Sequence, residues 1–417
     1  MQRTATAPCA FLGAAGGEGS PAAVGAAGCT VRLEGLELRL LELGFRRPVR
    51  TAAGTHRARP VVVVRVRAEG VDGWGEGGAM ADGAGVDPPV GELWEELCTT
   101  GVARLFQAAR ARGGALPGAS QVPRLFGGRP VQRMAAAALE MAVLDAELRS
   151  EGRPALSRVG GPPADGERAR VPAGAAVGIP VDRRAATLLQ TVDDLVGQGF
   201  CRLRIKIEPG WDVVPVEAVR RCHPGLVVQA DANGSYRLGA VGPESAARLA
   251  ALDAFGLACV EQPLPATDLP GHAELAGLLA TPVCLDESLG SPRQVEDAIR
   301  YGACEVACLK PSRLGGLSAA RRAHDTCRSA GVAAFVGGLF ESGLGRAANA
   351  ALATLPGFTL PGDLSPPSGY LVEDPFWYPT LEGGAVALGD GPGIGALPDP
   401  EVLERVTARR RWFPAPW

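Results

Sequence analysis

The second half of the chain repeats one pattern: a short apolar run, a turn and an amphipathic stretch with helical spacing. Seven such runs lie at 171–179, 201–207, 226–232, 258–261, 282–286, 305–310 and 333–336, and an eighth is weakly marked near residue 358. Near-continuous apolar runs are typical of parallel strands buried on both faces, and strands that alternate with helices favour a closed barrel over an open sheet. The sequence therefore predicts an α/β fold, with a (β/α) barrel over residues 165–355.

The first half of the chain follows a different pattern, in which apolar and polar residues alternate with period two before two helical stretches. The predicted strands are 29–41, 60–68 and 74–80, and the predicted helices are 89–111 and 131–149. Such alternation is typical of an antiparallel sheet with one covered face. We therefore predict an α+β domain over residues 29–160. Residues 1–28, rich in Ala, Gly and Pro, are predicted to form a flexible leader and make a poor signal peptide.

A polar residue ends each of five consecutive predicted strands, at the face where barrels carry their active sites. These residues are Lys206, Asp231, Glu261, Asp286 and Lys310, spaced one barrel unit apart. Helix caps or loop acids would explain one or two of them. Three neighbouring buried carboxylates repel one another unless a cation shares them. An oxygen-only ligand set favours Mg²⁺, with Mn²⁺ as a substitute.

The two lysines in this group are the only lysines among the 42 basic residues of the chain. Arginine replaces lysine almost everywhere, yet a guanidinium cannot give up its proton as a base must. The survival of Lys206 and Lys310 therefore indicates acid–base chemistry. Positive neighbours favour a neutral amine, and Arg204 and Arg313 are placed to supply that charge. Between two lysines, a carboxylate substrate held on the metal would present its α-carbon for proton removal.

Composition excludes several other classes of protein. The formal charge of −3 gives no basic excess for nucleic acid or anionic lipid, and no apolar stretch reaches the roughly 18 residues of a membrane span. The ten cysteines are scattered, which suits a reducing cytoplasm. Cys304 and Cys308 are four residues apart, but no second cysteine pair lies nearby to indicate a zinc site. The predicted partner is a small-molecule carboxylate substrate.

The sequence resembles the enolase superfamily, and within it the o-succinylbenzoate synthase and N-acylamino acid racemase group. The matching segments are GWGEGGAM at 73–80, AAALEMAVLDAEL at 136–148, RIKIEPGWD at 204–212, QADAN at 229–233, VEQPL at 260–264, CLDES at 284–288, LKPSRLGG at 309–316 and ESGLGRAANAALATLPGFTLPGD at 341–363. The resemblance implies an α+β capping domain over a modified (β/α)7β barrel. Residues 356–417 would then form the last barrel strand and return to the capping domain.

The resemblance also implies roles for individual residues. Asp231, Glu261 and Asp286 would be the Mg²⁺ ligands, and Lys206 and Lys310 the catalytic lysines. The supporting or substrate-binding residues would be Arg204, Asn233, Arg313, Met80, Gly337, Gly338, Leu339 and Glu341. The loop 45–56 would close over the substrate beside Met80. Gly337 and Gly338 follow the seventh strand and either admit substrate or form a simple tight turn.

The implied reaction is that of o-succinylbenzoate synthase, the syn-dehydration of 2-succinyl-6-hydroxy-2,4-cyclohexadiene-1-carboxylate in menaquinone biosynthesis. N-succinylamino acid racemisation is the alternative, because both reactions use the same five polar residues. A Mg²⁺-dependent ligand-binding protein without catalysis is a more distant alternative, which the retained lysines oppose. Monomer and homo-oligomer both stay open.

Three positions depart from the family pattern. Arg204 replaces the first lysine of a Lys-x-Lys motif and keeps its positive charge. Ala176 stands where relatives carry a small hydroxyl residue, and Leu339 stands where a methionine is common. His324 and Asp325 could suggest a catalytic dyad, but they fall in the middle of a predicted helix, where a solvated histidine is the simpler interpretation.

Overall fold

The computed structural model describes residues 31–51, 54–83, 85–161, 169–239 and 244–417. The predicted leader, residues 1–28, lies outside the described residues. No helix in the described part of the chain is both long and apolar enough to cross a membrane.

The strands are β1 (Leu33–Thr51), β2 (Gly54–Ala68), β3 (Val71–Gly77), β4 (Arg170–Pro172), β5 (Gly174–Val177), β6 (Arg202–Lys206), β7 (Val227–Asp231), β8 (Val260–Glu261), β9 (Val283–Leu285), β10 (Val306–Leu309), β11 (Ala333–Val336), β12 (Leu381–Glu382), β13 (Ala385–Ala387) and β14 (Thr407–Pro414). The α-helices are α1 (Val90–Glu96), α2 (Val102–Arg110), α3 (Pro130–Ser150), α4 (Ala185–Gly197), α5 (Val213–Cys222), α6 (Ser245–Ala250), α7 (Leu269–Leu278), α8 (Pro292–Arg300), α9 (Pro311–Leu314), α10 (Leu317–Ser329), α11 (Gly343–Leu352) and α12 (Pro400–Val406).

The capping domain is built on an antiparallel sheet of four strands in the order β14-β1-β2-β3. Helix α3 lies so close to β3 that a Cβ on Gly75 would meet the Ala138 carbonyl at 2.0 Å. Glycine at this position therefore lets the helix pack directly on the strand. The last strand, β14, pairs with β1, so the C-terminal segment returns to the cap.

The barrel sheet is parallel, with its strands in the order β11-β10-β9-β8-β7-β6-β5. Three backbone hydrogen bonds close it: Thr359 donates to the Ala334 carbonyl at 3.0 Å, Asp363 donates to the Val336 carbonyl at 2.8 Å, and Gly174 donates to the Gly362 carbonyl at 2.7 Å. The segment 358–362 thus bridges the first and last barrel strands and acts as the weakly marked eighth strand. Alternate residues point inward from each strand, which determines what reaches the barrel mouth.

The structure differs from the sequence prediction at three places. The predicted helix 89–111 is interrupted at Leu97–Gly101 by a π-helical turn. The predicted strand 171–179 is divided, because β4 pairs with β13 before the chain changes partner and enters the barrel as β5. The predicted loop 45–56 is the far end of the β1–β2 hairpin, where pairing continues to Thr51 opposite Gly54.

Candidate active site

The five polar residues predicted at strand ends lie together at the C-terminal edge of the barrel. Lys206, Asp231 and Glu261 are the last residues of β6, β7 and β8, and Asp286 and Lys310 directly follow β9 and β10. Because the strands are parallel and in consecutive order, these ends meet around one opening. All three acids are buried.

Lys206 lies on one side of this opening. Its Nζ is 2.6 Å from Asp231 Oδ2 and 2.6 Å from Asn233 Oδ1. Asn233 has a left-handed backbone, with φ of 44°, and its side-chain amide donates to Glu287 Oε1 at 2.9 Å. A short polar side chain tolerates that conformation. Asn233, predicted only as a supporting residue, therefore orients Lys206.

Lys310 lies on the opposite side, with its Nζ 2.7 Å from Asp286 Oδ2. Arg313 donates to Asp286 Oδ1 and also makes a bidentate pair with Asp87, at 2.8 and 2.7 Å. Asp87 belongs to the capping domain, so this arginine joins the cap to the barrel beside the lysine. A buried bidentate pair of this kind fixes the orientation of the guanidinium group and also balances its charge.

Arg204 lies between the acids, inside the barrel. Its Nη1 is 3.0 Å from Asp231 Oδ2 and 2.5 Å from Glu261 Oε1, and its Nη2 is 2.6 Å from Asp363 Oδ2. Gln229 donates to the other oxygen of Glu261. The predicted charge-keeping replacement thus pairs with the interior acids, and it shares Asp231 Oδ2 with Lys206.

Burial and the neighbouring cations act in opposite directions on the three carboxyl groups. Burial alone would raise the pKa of Asp286 and of Asp231, but the lysine and arginine that each contacts outweigh it and lower both pKa values. Burial raises the pKa of Glu261 well above its ordinary value, because Arg204 compensates only in part. Burial alone would lower the pKa of Lys310, but the Asp286 carboxylate outweighs it and raises that pKa.

The donor set fits a divalent cation. Glu261, Asp286 and Cys308 have ligand atoms within 4.8 Å of one another, and all three side chains are buried. Asp231 lies outside this trio, with its Oδ2 held by Lys206 and Arg204. Carboxylate oxygens are the ligands that Mg²⁺ and Mn²⁺ prefer.

Gly337 fills a packing role. A Cβ there would meet Cys308 Sγ at 2.3 Å and Lys310 Cε at 3.0 Å, so the missing side chain makes room for the lysine rather than for substrate. Gly338 donates its backbone N–H to Asp363 Oδ2 at 3.3 Å. For Gly337, this packing opposes the first of the two predicted alternatives, the admission of substrate.

Three further predicted residues lie where the cap meets the barrel. Arg59 donates to the Leu339 carbonyl at 3.0 Å and also to the Ala79 carbonyl. Because Ala79 precedes the buried Met80, this arginine brings Leu339 close to Met80. Glu341 accepts from the Leu339 N–H at 2.8 Å and from Asn349 Nδ2 at 3.1 Å. Glu341 therefore holds the turn after β11, and its hydrogen bonds assign it a supporting role.

A cavity of about 500 Å³ opens beside Arg204 and Gly338. Ala176, Phe340 and Tyr370 also line it. None of the five polar strand-end residues lines it, and it extends to Leu195 and Phe200, which precede β6. Ala176, one of the three positions that depart from the family pattern, therefore lines this cavity.

His324 and Asp325 are not part of the site. His324 lies on α10, is 2% exposed, and packs its ring 4.6 Å from that of Phe358. The expected solvated histidine is therefore a buried one, because the closing strand covers that face of the helix. Its Nδ1 is 2.9 Å from Asp325 Oδ1.

Sequence reasoning missed Asp363, Asp87, Gln229 and Arg59. Asp363 follows the eighth strand as the other acids follow theirs, but that strand is weakly marked. Gln229 stands two residues before Asp231. Residues two apart on a strand face the same side, so this spacing could have predicted that Gln229 also points into the barrel. Asp87 and Arg59 have no such signal, because they meet the barrel only through the packing of the cap.

Two family models match the chain. The N-terminal domain of the mandelate racemase and muconate lactonizing enzyme family matches residues 36–160, and the enolase C-terminal domain-like family matches residues 187–402. The chain belongs to the enolase superfamily. This membership confirms the predicted capping domain and barrel.

The relatives of similar length are named for two different activities. N-succinylamino acid racemase from Amycolatopsis is 41% identical, over 92% of this chain and 100% of the relative. An o-succinylbenzoate synthase from Geobacillus stearothermophilus is 37% identical, over 92% and 98%. A solved structure described as a probable mandelate racemase from Alicyclobacillus acidocaldarius is 35% identical, covers 92% of this chain and 99% of its own, and has a TM-score of 0.80. The chain is therefore an enzyme of the group that contains both activities.

Proposed function

We propose that this protein is an o-succinylbenzoate synthase that dehydrates 2-succinyl-6-hydroxy-2,4-cyclohexadiene-1-carboxylate in menaquinone biosynthesis. One observation supports the proposal above others: two lysines flank three buried carboxylates on consecutive strand ends. Proton removal next to a carboxylate needs a base on one face and positive charge around the developing anion. This arrangement supplies both.

In this proposal Asp231, Glu261 and Asp286 hold Mg²⁺. When bound, the ion stabilises the negative charge that develops on the substrate carboxylate. Lys206 and Lys310 each contact one carboxylate of this ligand set, through Asp231 and Asp286.

The proton transfers are assigned to Lys206. As a neutral amine it takes the α-proton, and as an ammonium it returns that proton to the departing hydroxyl group, so that the C–O bond breaks and water leaves. Lys206 is the more exposed of the two lysine side chains, at 16% against 7% for Lys310. Lys310, whose partner Asp286 is also held by Arg313, contributes positive charge on the other face.

N-succinylamino acid racemase is the second candidate. The two lysines approach from opposite sides, as a two-base racemisation needs, and the relative of that name is 41% identical. The proposed cytoplasmic location and any homo-oligomer stay predictions.

The test assays both substrates with and without Mg²⁺, using wild type, Lys206→Arg and Lys310→Arg. Arginine keeps charge and bulk but cannot act as a base near neutral pH. A synthase should lose dehydration in Lys206→Arg and retain measurable dehydration in Lys310→Arg, because arginine keeps the positive charge assigned to Lys310. A racemase should exchange the α-proton in D₂O from one enantiomer in Lys206→Arg and from the other in Lys310→Arg. Wild-type rates in both variants would exclude the lysines as bases, and binding without turnover in wild type would leave a ligand-binding protein.

A further inference from the structure

A buried glutamate of the capping domain contacts the start of a barrel helix. Glu140 lies on α3, and its Oε1 and Oε2 accept from the Ser318 N–H at 3.2 and 3.4 Å. Ser318 lies in the first turn of α10. The first N–H groups of a helix have no partner within it, so an acceptor with negative charge stabilises them. Glu140 therefore supplies α10 with an N-terminal cap from the other domain.

Other barrel helices supply this acceptor themselves. The helices α5, α7 and α8 are preceded by Asp212, Asp268 and Ser291, and each of these side chains accepts from an N–H in the first turn of its helix. Helix α10 is preceded by Gly316, which has no side chain that could do so. The start of α10 therefore depends on the capping domain.

Two consecutive glycines let α3 pack against this turn. A Cβ on Gly316 would overlap Glu140 Oε2 and meet the Ala137 Cα at 3.5 Å, and a Cβ on Gly315 would meet the Arg133 Cβ at 3.6 Å. Both glycines have positive φ, of 103° at Gly315 and 121° at Gly316. Because Arg133, Ala137 and Glu140 recur at helical spacing, one face of α3 covers the turn.

The same turn is continuous with Lys310. This lysine directly precedes α9, and its carbonyl accepts from the Leu314 N–H at 3.0 Å. The Gly316 N–H donates back to the Pro311 carbonyl at 2.8 Å. A displacement of the first turn of α10 is therefore passed through α9 to the backbone of Lys310.

We propose that Glu140 is a positioning residue for Lys310: it fixes the first turn of α10 and, through α9, the place of that lysine, and it does not act on Lys206. The inference rests on the proposed function, which gives the two lysines separate roles. Lys206 is held by Asp231 and Asn233, which belong to the barrel and lie outside this chain of contacts. A displacement of about 1 Å at a reacting group can lower a rate up to about a hundredfold.

The test is a double-mutant cycle on dehydration by the full-length protein with Mg²⁺. Glu140→Met removes both acceptor oxygens but keeps a long side chain of high helix propensity, and it should lower kcat about tenfold. In the Lys310→Arg background the same change should lower kcat less than about twofold, because the residue it positions is already replaced. Glu140→Gln keeps one acceptor oxygen and should recover most of the rate.

The matched control is Glu147→Met. Glu147 is also buried on α3, but its carboxylate accepts from the Ala119 N–H within the cap, at 3.0 Å. This variant should lower kcat less than about twofold. Far-UV circular dichroism checks that each variant is folded.

Exchange of the α-proton of an N-succinylamino acid in D₂O gives an independent readout. Glu140→Met should slow exchange about tenfold for the enantiomer that Lys310→Arg also fails to exchange, and should leave the other enantiomer unchanged. Equal losses for both enantiomers, or equal losses of dehydration with and without Lys310, would show that Glu140 only supports the fold. Those results, or unchanged rates in Glu140→Met, would overturn the inference and leave the proposed function intact. A wild type that turns over neither substrate would refute the proposed function and this inference with it.

Discussion

Replacing Asp363 with Asn should destabilise the fold strongly, because this acid holds two buried arginines. Its Oδ1 is 2.7 Å from Arg202 Nη1, and its Oδ2 is 2.6 Å from Arg204 Nη2. Arg202 has no exposed surface, and its Nε and Nη2 have no hydrogen-bond partner among the described residues. Its guanidinium carbon also lies 4.8 Å from the centre of the Phe335 ring. Asp363→Asn therefore leaves a buried guanidinium without its counter-charge.

Breaking a buried pair in this way costs about 3–5 kcal/mol of unfolding free energy. Equilibrium urea unfolding, followed by circular dichroism, measures the loss. The matched control is Glu382→Gln, which removes the exposed pair with Arg170 at 3.3 Å and should change stability little. A double variant, Arg202→Met with Asp363→Asn, should recover part of the loss. Unfolding of Asp363→Asn at the wild-type urea midpoint would refute the reasoning.

The pH dependence provides a second readout. Burial alone would raise the pKa of Asp363, but Arg204 and Arg202 outweigh it and lower that pKa well below the ordinary value. A carboxyl group with a lowered folded-state pKa contributes stability above its unfolded pKa of about 3.9, and that stability is lost as pH falls toward the folded value. The difference between wild type and Asp363→Asn should therefore be full at neutral pH and shrink below about pH 4.

Three further outcomes are expected. Glu261→Gln should abolish turnover at ordinary Mg²⁺ while circular dichroism stays unchanged, and full wild-type turnover in excess chelator would contradict a metal role. Gly337→Ala should lower kcat more than it raises KM, because the new Cβ displaces Lys310; an unchanged kcat would show that the lysine does not depend on this space. Phe45→Ala should change KM and substrate preference more than kcat, since the Phe45 ring lies at the cap–barrel contact with Phe340, at 5.5 Å; identical preference in a comparison of both substrates would remove it from the site.

The sequence was sufficient to predict the barrel and the five polar residues at its mouth. The strands follow from the repeated apolar runs, and the five residues follow from their position at the strand ends. A residue at the end of a buried strand must reach the barrel mouth, whatever the loops do. The rarity of lysine added chemical meaning to two of those positions. The same reasoning would have identified Asp363 if the eighth strand were longer. That strand consists of two isolated bridges, one at Phe358 and one at Gly362.

Contacts between the domains could not be predicted in this way. Asp87 reaches Arg313 across 226 residues of sequence, and Arg59 reaches Leu339 across 280. Nothing local marks either residue, because each is placed by how the cap sits on the barrel. The segment 45–56 belongs to the β1–β2 hairpin, whose pairing resumes at Val49 opposite His56, and Phe45 at its start packs against Phe340 after β11. Its closure over the substrate stays a prediction.

The charges around the opening indicate what must enter with a metal ion. They form two ion-paired groups, one of Arg202, Arg204, Lys206, Asp231, Glu261 and Asp363, and one of Lys310, Arg313, Asp87 and Asp286. Each ion-paired group has as many acids as bases, and Glu287, whose pKa is raised by burial, adds one further carboxyl group beside them. A divalent cation would add two buried positive charges, which are costly unless anions accompany them. A substrate with two carboxylates compensates that excess, and both the cyclohexadiene precursor and an N-succinylamino acid carry two. The balance of ion pairs thus favours dicarboxylate substrates as a class, whichever of the two reactions follows proton removal.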